Sequence, residues 1–168
     1  FRCCDPEQYG ADRYEWGHTN GQHSANWIPE NYPDGGDMVV FSNNHNYWSP
    51  NYSQVFKIKY TEGNIETDTS GNQRYAIDSY AVLDYVQDLV DSAHLCSSVG
   101  EVIVPDGYFY SNMMGGVFML PNGNAYITMA SMQSPQPYIG TIEIEDPWGN
   151  PSLVGGYMHG CNSMNPNN

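Results

Sequence analysis

Val117-Phe118-Met119-Leu120-Pro121-Asn122-Gly123-Asn124-Ala125-Tyr126-Ile127-Thr128-Met129-Ala130 sets two apolar runs on either side of a turn-prone tetrapeptide. An Asn-Gly pair between apolar runs is a strong hairpin signal, because both residues tolerate the positive φ that tight turns between twisted strands require. The segment predicts paired antiparallel strands over 117–120 and 125–130.

Toward the C-terminus, Gly140-Thr141-Ile142-Glu143-Ile144-Glu145 alternates apolar and polar residues and reads as a further strand. It ends at Asp146-Pro147-Trp148-Gly149-Asn150-Pro151, after which the chain is Gly- and Asn-rich through Cys161. Toward the N-terminus, Gly115-Gly116 and the turn Pro105-Asp106-Gly107 precede the hairpin. Before them a helix is expected over about 78–96. Asp78 or Ser79 can cap it, Val82, Val86, Leu89, Val90 and Ala93 form its apolar stripe, and Asp84, Asp88 and Asp91 its wet face.

Residues 54–60 place Phe56, Ile58 and Tyr60 on one side and Lys57 and Lys59 on the other, the period of a half-buried strand. Residues 1–53 are rich in Asn, Gly, Pro and aromatics, and only 38–41 resembles a strand. The expected fold is therefore α+β: one β-rich domain over 1–168, an antiparallel sheet packed on one main helix. Residues 1–53 would be an irregular aromatic region and 54–161 the helix-plus-sheet core.

Five Lys and Arg stand against nineteen Asp and Glu, a formal net charge of −14. Such a chain repels phosphates and anionic membrane surfaces, which excludes a nucleic-acid partner. Fourteen Tyr, five Phe and four Trp distinguish it from an acidic disordered segment. No stretch approaches the roughly 18 consecutive apolar residues of a membrane helix. The chain opens on Phe1 without a signal-like segment, as a processed or truncated chain would. Cys3, Cys4, Cys96 and Cys161 lack paired C-x-x-C spacing, and their even number suits two disulfides in an oxidising compartment. Of the three pairings, Cys3 with Cys4 would close a strained ring. The expected location is extracellular or at the cell surface.

No nucleophile elbow, phosphate-cradling loop or dinucleotide fingerprint is present, so no catalytic residue is assigned and a non-enzymatic protein is expected. Glu143 and Glu145 are two apart on a strand and share a face; a secreted hydrolase would need such carboxylates to converge in a pocket. Hard Ca2+ prefers carboxylate, amide and backbone oxygens in turns, which Asp68 with Asn72 and Asp146 with Asn150 offer. Tyr47, Trp48 and Tyr52 lie among Asn residues, a composition able to stack on sugar rings in a glycan-binding module. Asn51-Tyr52-Ser53 is an N-glycosylation sequon at Asn51.

Three features together resemble the globular head of type IV pilins and of type II secretion pseudopilins: the expected helix ending at Cys96, the run 117–123 leading to 140–145, and the turn 146–151. The resemblance covers about residues 76–161. It implies a helix packed on an antiparallel sheet, a Cys96–Cys161 disulfide, and an extracellular filament or secretion-apparatus subunit that assembles with itself or with other subunits, with cell adhesion among its roles.

Overall fold

The computed structural model describes residues 22–43, 52–67, 71, 73–91, 111, 114–131 and 138–159. Among them are β1 (Gln22–Trp27), β2 (Met38–Ser42), β3 (Gln54–Thr67), β4 (Gln73–Leu83), the single helical turn α1 (Asp88–Asp91), β5 (Met114–Met119), β6 (Ala125–Ser131), β7 (Tyr138–Glu145) and β8 (Ser152–His159). The strands form two antiparallel sheets in the orders β1-β2-β3-β4 and β5-β6-β7-β8. Every partner is the next strand in sequence, so each sheet is a simple meander.

Alternation decides which side of each strand enters the core. In the second sheet Val117, Met119, Ala125, Ile127, Met129, Ile142 and Ile144 are buried together, and they meet Val39, Phe41, Val55 and Leu83 of the first. The Phe41 ring fills the space that a side chain at position 115 would need: a Cβ on Gly115 would lie 2.1 Å from Phe41 Cε1. The first sheet is apolar on its other side as well, where Met38, Val40, Phe56 and Ile58 form a second buried cluster.

At one flank of the sandwich Asn26 Nδ2 donates to Val117 O (2.9 Å) and to Ser24 Oγ (2.7 Å), tying edge strand β1 to edge strand β5. At another, Val86 and Leu89 pack into the core, and the Asp88 carboxylate accepts a hydrogen bond from the Leu153 N–H of β8 (3.3 Å). At the far end Ser111 bridges the sheets. Its Oγ accepts from Ala130 N (2.9 Å) and donates to Ala130 O (2.7 Å) or Met114 O, its N–H donates to Ser53 Oγ (2.8 Å), and its carbonyl accepts from Asn43 Nδ2 (2.5 Å).

The hairpin over 117–130 is present, with a different turn. Gly123 N bonds Leu120 O (2.9 Å), Leu120 N bonds Asn124 O (2.8 Å), and Gly123 has φ of 89°. Asn122 is not among the positive-φ residues, so Pro121-Asn122 form a type I turn and Gly123 follows in the left-handed region. A Cβ at Gly123 would also lie 3.3 Å from Pro33 Cγ. Gly123→Val is expected to cost about 1–2 kcal/mol in urea unfolding; an unchanged midpoint would contradict this turn.

Three expectations are corrected. The fold is not α+β with a main helix: the described residues are β-rich, in two antiparallel sheets. Residues 73–83, the start of the expected helix among them, form β4 along β3, and the only helix among the described residues is the four-residue turn Asp88–Asp91. The pilin and pseudopilin resemblance falls for the same reason, since that head needs an N-terminal helix packed on a sheet. Residues 1–53 are not irregular throughout either, because they contain β1 and β2; the strand expected over 38–41 is β2.

Candidate functional site

β3 and β4 outrun the sandwich. β2 pairs with β3 only from Gln54 to Ile58, whereas β3 and β4 remain paired to Thr67↔Gln73. Beyond Lys59 they form a two-stranded arm, roughly 20 Å long at ~3.3 Å per residue. Two irregularities interrupt this ribbon: Lys59 faces Ser79 and Tyr60 faces Ile77, which leaves Asp78 of β4 as an extra residue, and Ile65 then faces Tyr75, with the extra residues bulged on the β3 side. The outer strand β4 is thus bulged once, at Asp78, and on either side of it pairs regularly with β3 only where β3 is not bulged.

The four edge strands are treated unequally. β1 and β5 are held together through Asn26, and β1 carries a register shift between Gln22 and Ser24. β8 has the Asp88 carboxylate on its Leu153 N–H and Gly155-Gly156 in its middle. β4 has no strand on its outer side among the described residues. It contains no Pro, Gly or Lys over eleven residues, its charges being Arg74 and Asp78. Natural proteins guard edges with such residues, with bulges or with covering elements, because an unguarded edge pairs with other chains. Tyr80 and Val82, on the side away from the second sheet, are 49% and 38% exposed.

The turns 28–37, 120–124 and 146–151 gather at one end of the sandwich. Pro33 lies against Gly123, while Lys57 pairs with Asp34 (2.8 Å) and sits 5.3 Å from the Trp148 ring centroid. Lys57 thus shares the side of β3 that carries core residue Val55, and reaches the rim of the sandwich instead of a wet face. Burial raises the Asp37 carboxyl above its ordinary value of 3.8, against the pull of Lys57. The folded protein therefore favours protonated Asp37. That contribution is full below about pH 4 and lost as pH rises through the raised value. Asp37→Asn, neutral at every pH, is expected to melt above the parent at pH 7, with the gap closing toward pH 3. A gap that persists at pH 3 at matched ionic strength would contradict it.

The residues singled out from sequence scatter. Asp146 has φ of 44°, its Oδ2 accepts from Asn150 N (2.7 Å), and its carboxylate lies where a Cβ on Gly149 would be, so Asp146 and Asn150 together close a turn. Glu143 Oε1 accepts from Asn124 Nδ2 (2.6 Å) and Glu145 Oε1 from Ser152 Oγ (2.7 Å), each carboxylate occupied by a different neighbour. Tyr52 is half-buried just before β3. Tyr47, Trp48, Asn51, Asp68, Asn72, Cys3, Cys4, Cys96 and Cys161 lie outside the described residues. Among the described residues no group of three His, Cys, Asp or Glu could hold a metal ion, and no helix is long and apolar enough to cross a membrane.

Sequence reasoning missed the edge of β4, the Asp34–Lys57–Trp148 grouping and the Ser111 bridge. The alternating Tyr75-Ala76-Ile77-Asp78-Ser79-Tyr80 was the available signal for the first. No protein-family model matches the chain, and no curated protein or solved structure matches it either.

Proposed function

We propose that the chain is a non-enzymatic extracellular structural subunit that assembles through protein contacts, adding strands at the outer edge of β4. The observation that carries this reading is the unequal treatment of the edges: β1, β5 and β8 have contacts on them from other elements or glycines within them, whereas long β4, bulged only at Asp78, has no strand outside it among the described residues. The arm supports it, since an isolated two-stranded ribbon is marginally stable in water and gains from a third strand. The four cysteines and the acidic balance suit an extracellular setting.

Sedimentation velocity over a wide concentration range, with electron microscopy of the concentrated sample, tests the proposal. The parent chain is expected to associate. Val82→Lys, which places a charge on the edge strand, should keep the circular dichroism spectrum and require at least about tenfold more protein to associate, the equivalent of about 1.4 kcal/mol. A parent chain that stays monomeric throughout would overturn the reading.

A further inference from the structure

A row of residues crosses the outer face of the second sheet: Phe118 on β5, Tyr126 on β6, Glu143 on β7 and Gly155 on β8 stand opposite one another. Each is one residue removed from a core position (Val117, Ile127, Ile142) or lies in register with one that is, so the row faces away from the core. Phe118 is 51% exposed and Tyr126 partly so. Side chains directly opposite on neighbouring strands have Cβ atoms about 5 Å apart, so the two aromatic side chains lie side by side.

Next to them the Glu143 carboxylate is steadied by Asn124 Nδ2 at 2.6 Å, which fixes a hydrogen-bond acceptor at the margin of the apolar surface. Beyond Glu143 the surface is open: a Cβ on Gly155 would meet nothing within 4 Å. Aromatic faces, one oriented acceptor and a bare backbone gap form a surface of mixed chemistry rather than a greasy patch.

We infer that this row is a saccharide-binding site for neutral glycans, independent of the β4 edge. The C–H faces of a pyranose ring cover Phe118 and Tyr126, and ring hydroxyls donate to Glu143. A carboxylate accepts hydroxyl protons and repels acidic sugars, as does the net charge of −14. The occupant that fits is an unbranched β-1,4-linked glucan, whose equatorial hydroxyls leave flat C–H faces for stacking and a polar rim for the carboxylate.

Calorimetric titration of the whole chain with cellohexaose, and with an oligogalacturonate of equal length as the acidic counterpart, tests the site. Cellohexaose is expected to bind and the oligogalacturonate not to. Phe118→Ala and Tyr126→Ala should each weaken binding at least tenfold, Glu143→Gln several-fold, and Gly155→Leu, which fills the gap without removing a contact, should also weaken it. Melting curves of all four variants establish that the fold is retained. Absence of cellohexaose binding by the parent, equal binding of the acidic sugar, or variants that bind like the parent would overturn the site. So would a change in sedimentation for Phe118→Ala, which would make this face a contact between copies.

Discussion

Gly115→Ala is expected to destabilise the protein by about 3 kcal/mol in urea unfolding, at the upper end of what overpacking usually costs. The methyl group would stand 2.1 Å from Phe41 Cε1, 2.5 Å from Cζ and 2.6 Å from Cδ1. Phe41 is fully buried between the sheets and cannot swing into solvent. Either the ring leaves its rotamer or β5 moves off β2. The substitution therefore probes the distance between the sheets, and a second change separates this from a general intolerance at position 115. In a Phe41→Leu background the same Gly115→Ala is expected to cost less than about 1 kcal/mol, a coupling of about 2 kcal/mol between residues from different sheets. Additive effects would contradict the packing of β2 across β5.

Ser111→Ala is expected to cost about 2–3 kcal/mol, well beyond what an exposed serine contributes. Its hydroxyl accepts from Ala130 N (2.9 Å) and donates within the same site, where both the residue and Ala130 are buried. Removing the oxygen leaves the Ala130 N–H inside the protein without its partner, and a buried unsatisfied donor loses hydration with nothing in return. The exposed Ser79 on β4 serves as the comparison, where Ser79→Ala should stay within about 0.5 kcal/mol. If both variants unfold at the same urea concentration, the Ser111 hydroxyl does not hold the Ala130 N–H.

The parts of the fold legible in the sequence are those where one face is buried and the other wet. Residues 117–130 and 140–145 alternate clearly because their outward positions carry Tyr, Thr and Glu, and their turns carry Gly and Pro. β1 gave no such signal: Gln22-His23-Ser24-Ala25-Asn26-Trp27 is a mostly exposed edge strand whose key contact, Asn26 to Val117 O, is made by a polar side chain. β2 was legible as the short apolar run 38–41, which does not alternate because the strand is buried on both sides. β4 was misread because Val82, Val86 and Leu89 satisfy a helical spacing, while Leu83, the residue that enters the core from the strand, sits between them. Short apolar runs fit either period, and the long-range pairing with β3 settles which one wins. The same error produced the pilin resemblance, which rested on a helix running to Cys96.

The candidate site was less legible still. An edge strand is a property of the sheet, since β4 differs from an interior strand only in what lies outside it. The row Phe118, Tyr126, Glu143 and Gly155 comes from four separate strands and has no linear spacing to recognise. Glu143 was noticed beside Glu145, its neighbour on the same strand, whereas its hydrogen-bond partner is Asn124 of the preceding turn.

Hydrogen–deuterium exchange of the β4 amides, followed as protein concentration rises, tests assembly through this edge most directly. An interior strand has both sets of amides engaged, while an edge strand leaves alternate amides to solvent, so pairing with a second chain slows a specific set of protons. The account predicts that alternate amides within 73–83 gain protection in step with association, while those of β6 and β7 do not change. Association without any gain in β4 protection would show that the contact lies elsewhere and contradict the proposed role of this strand.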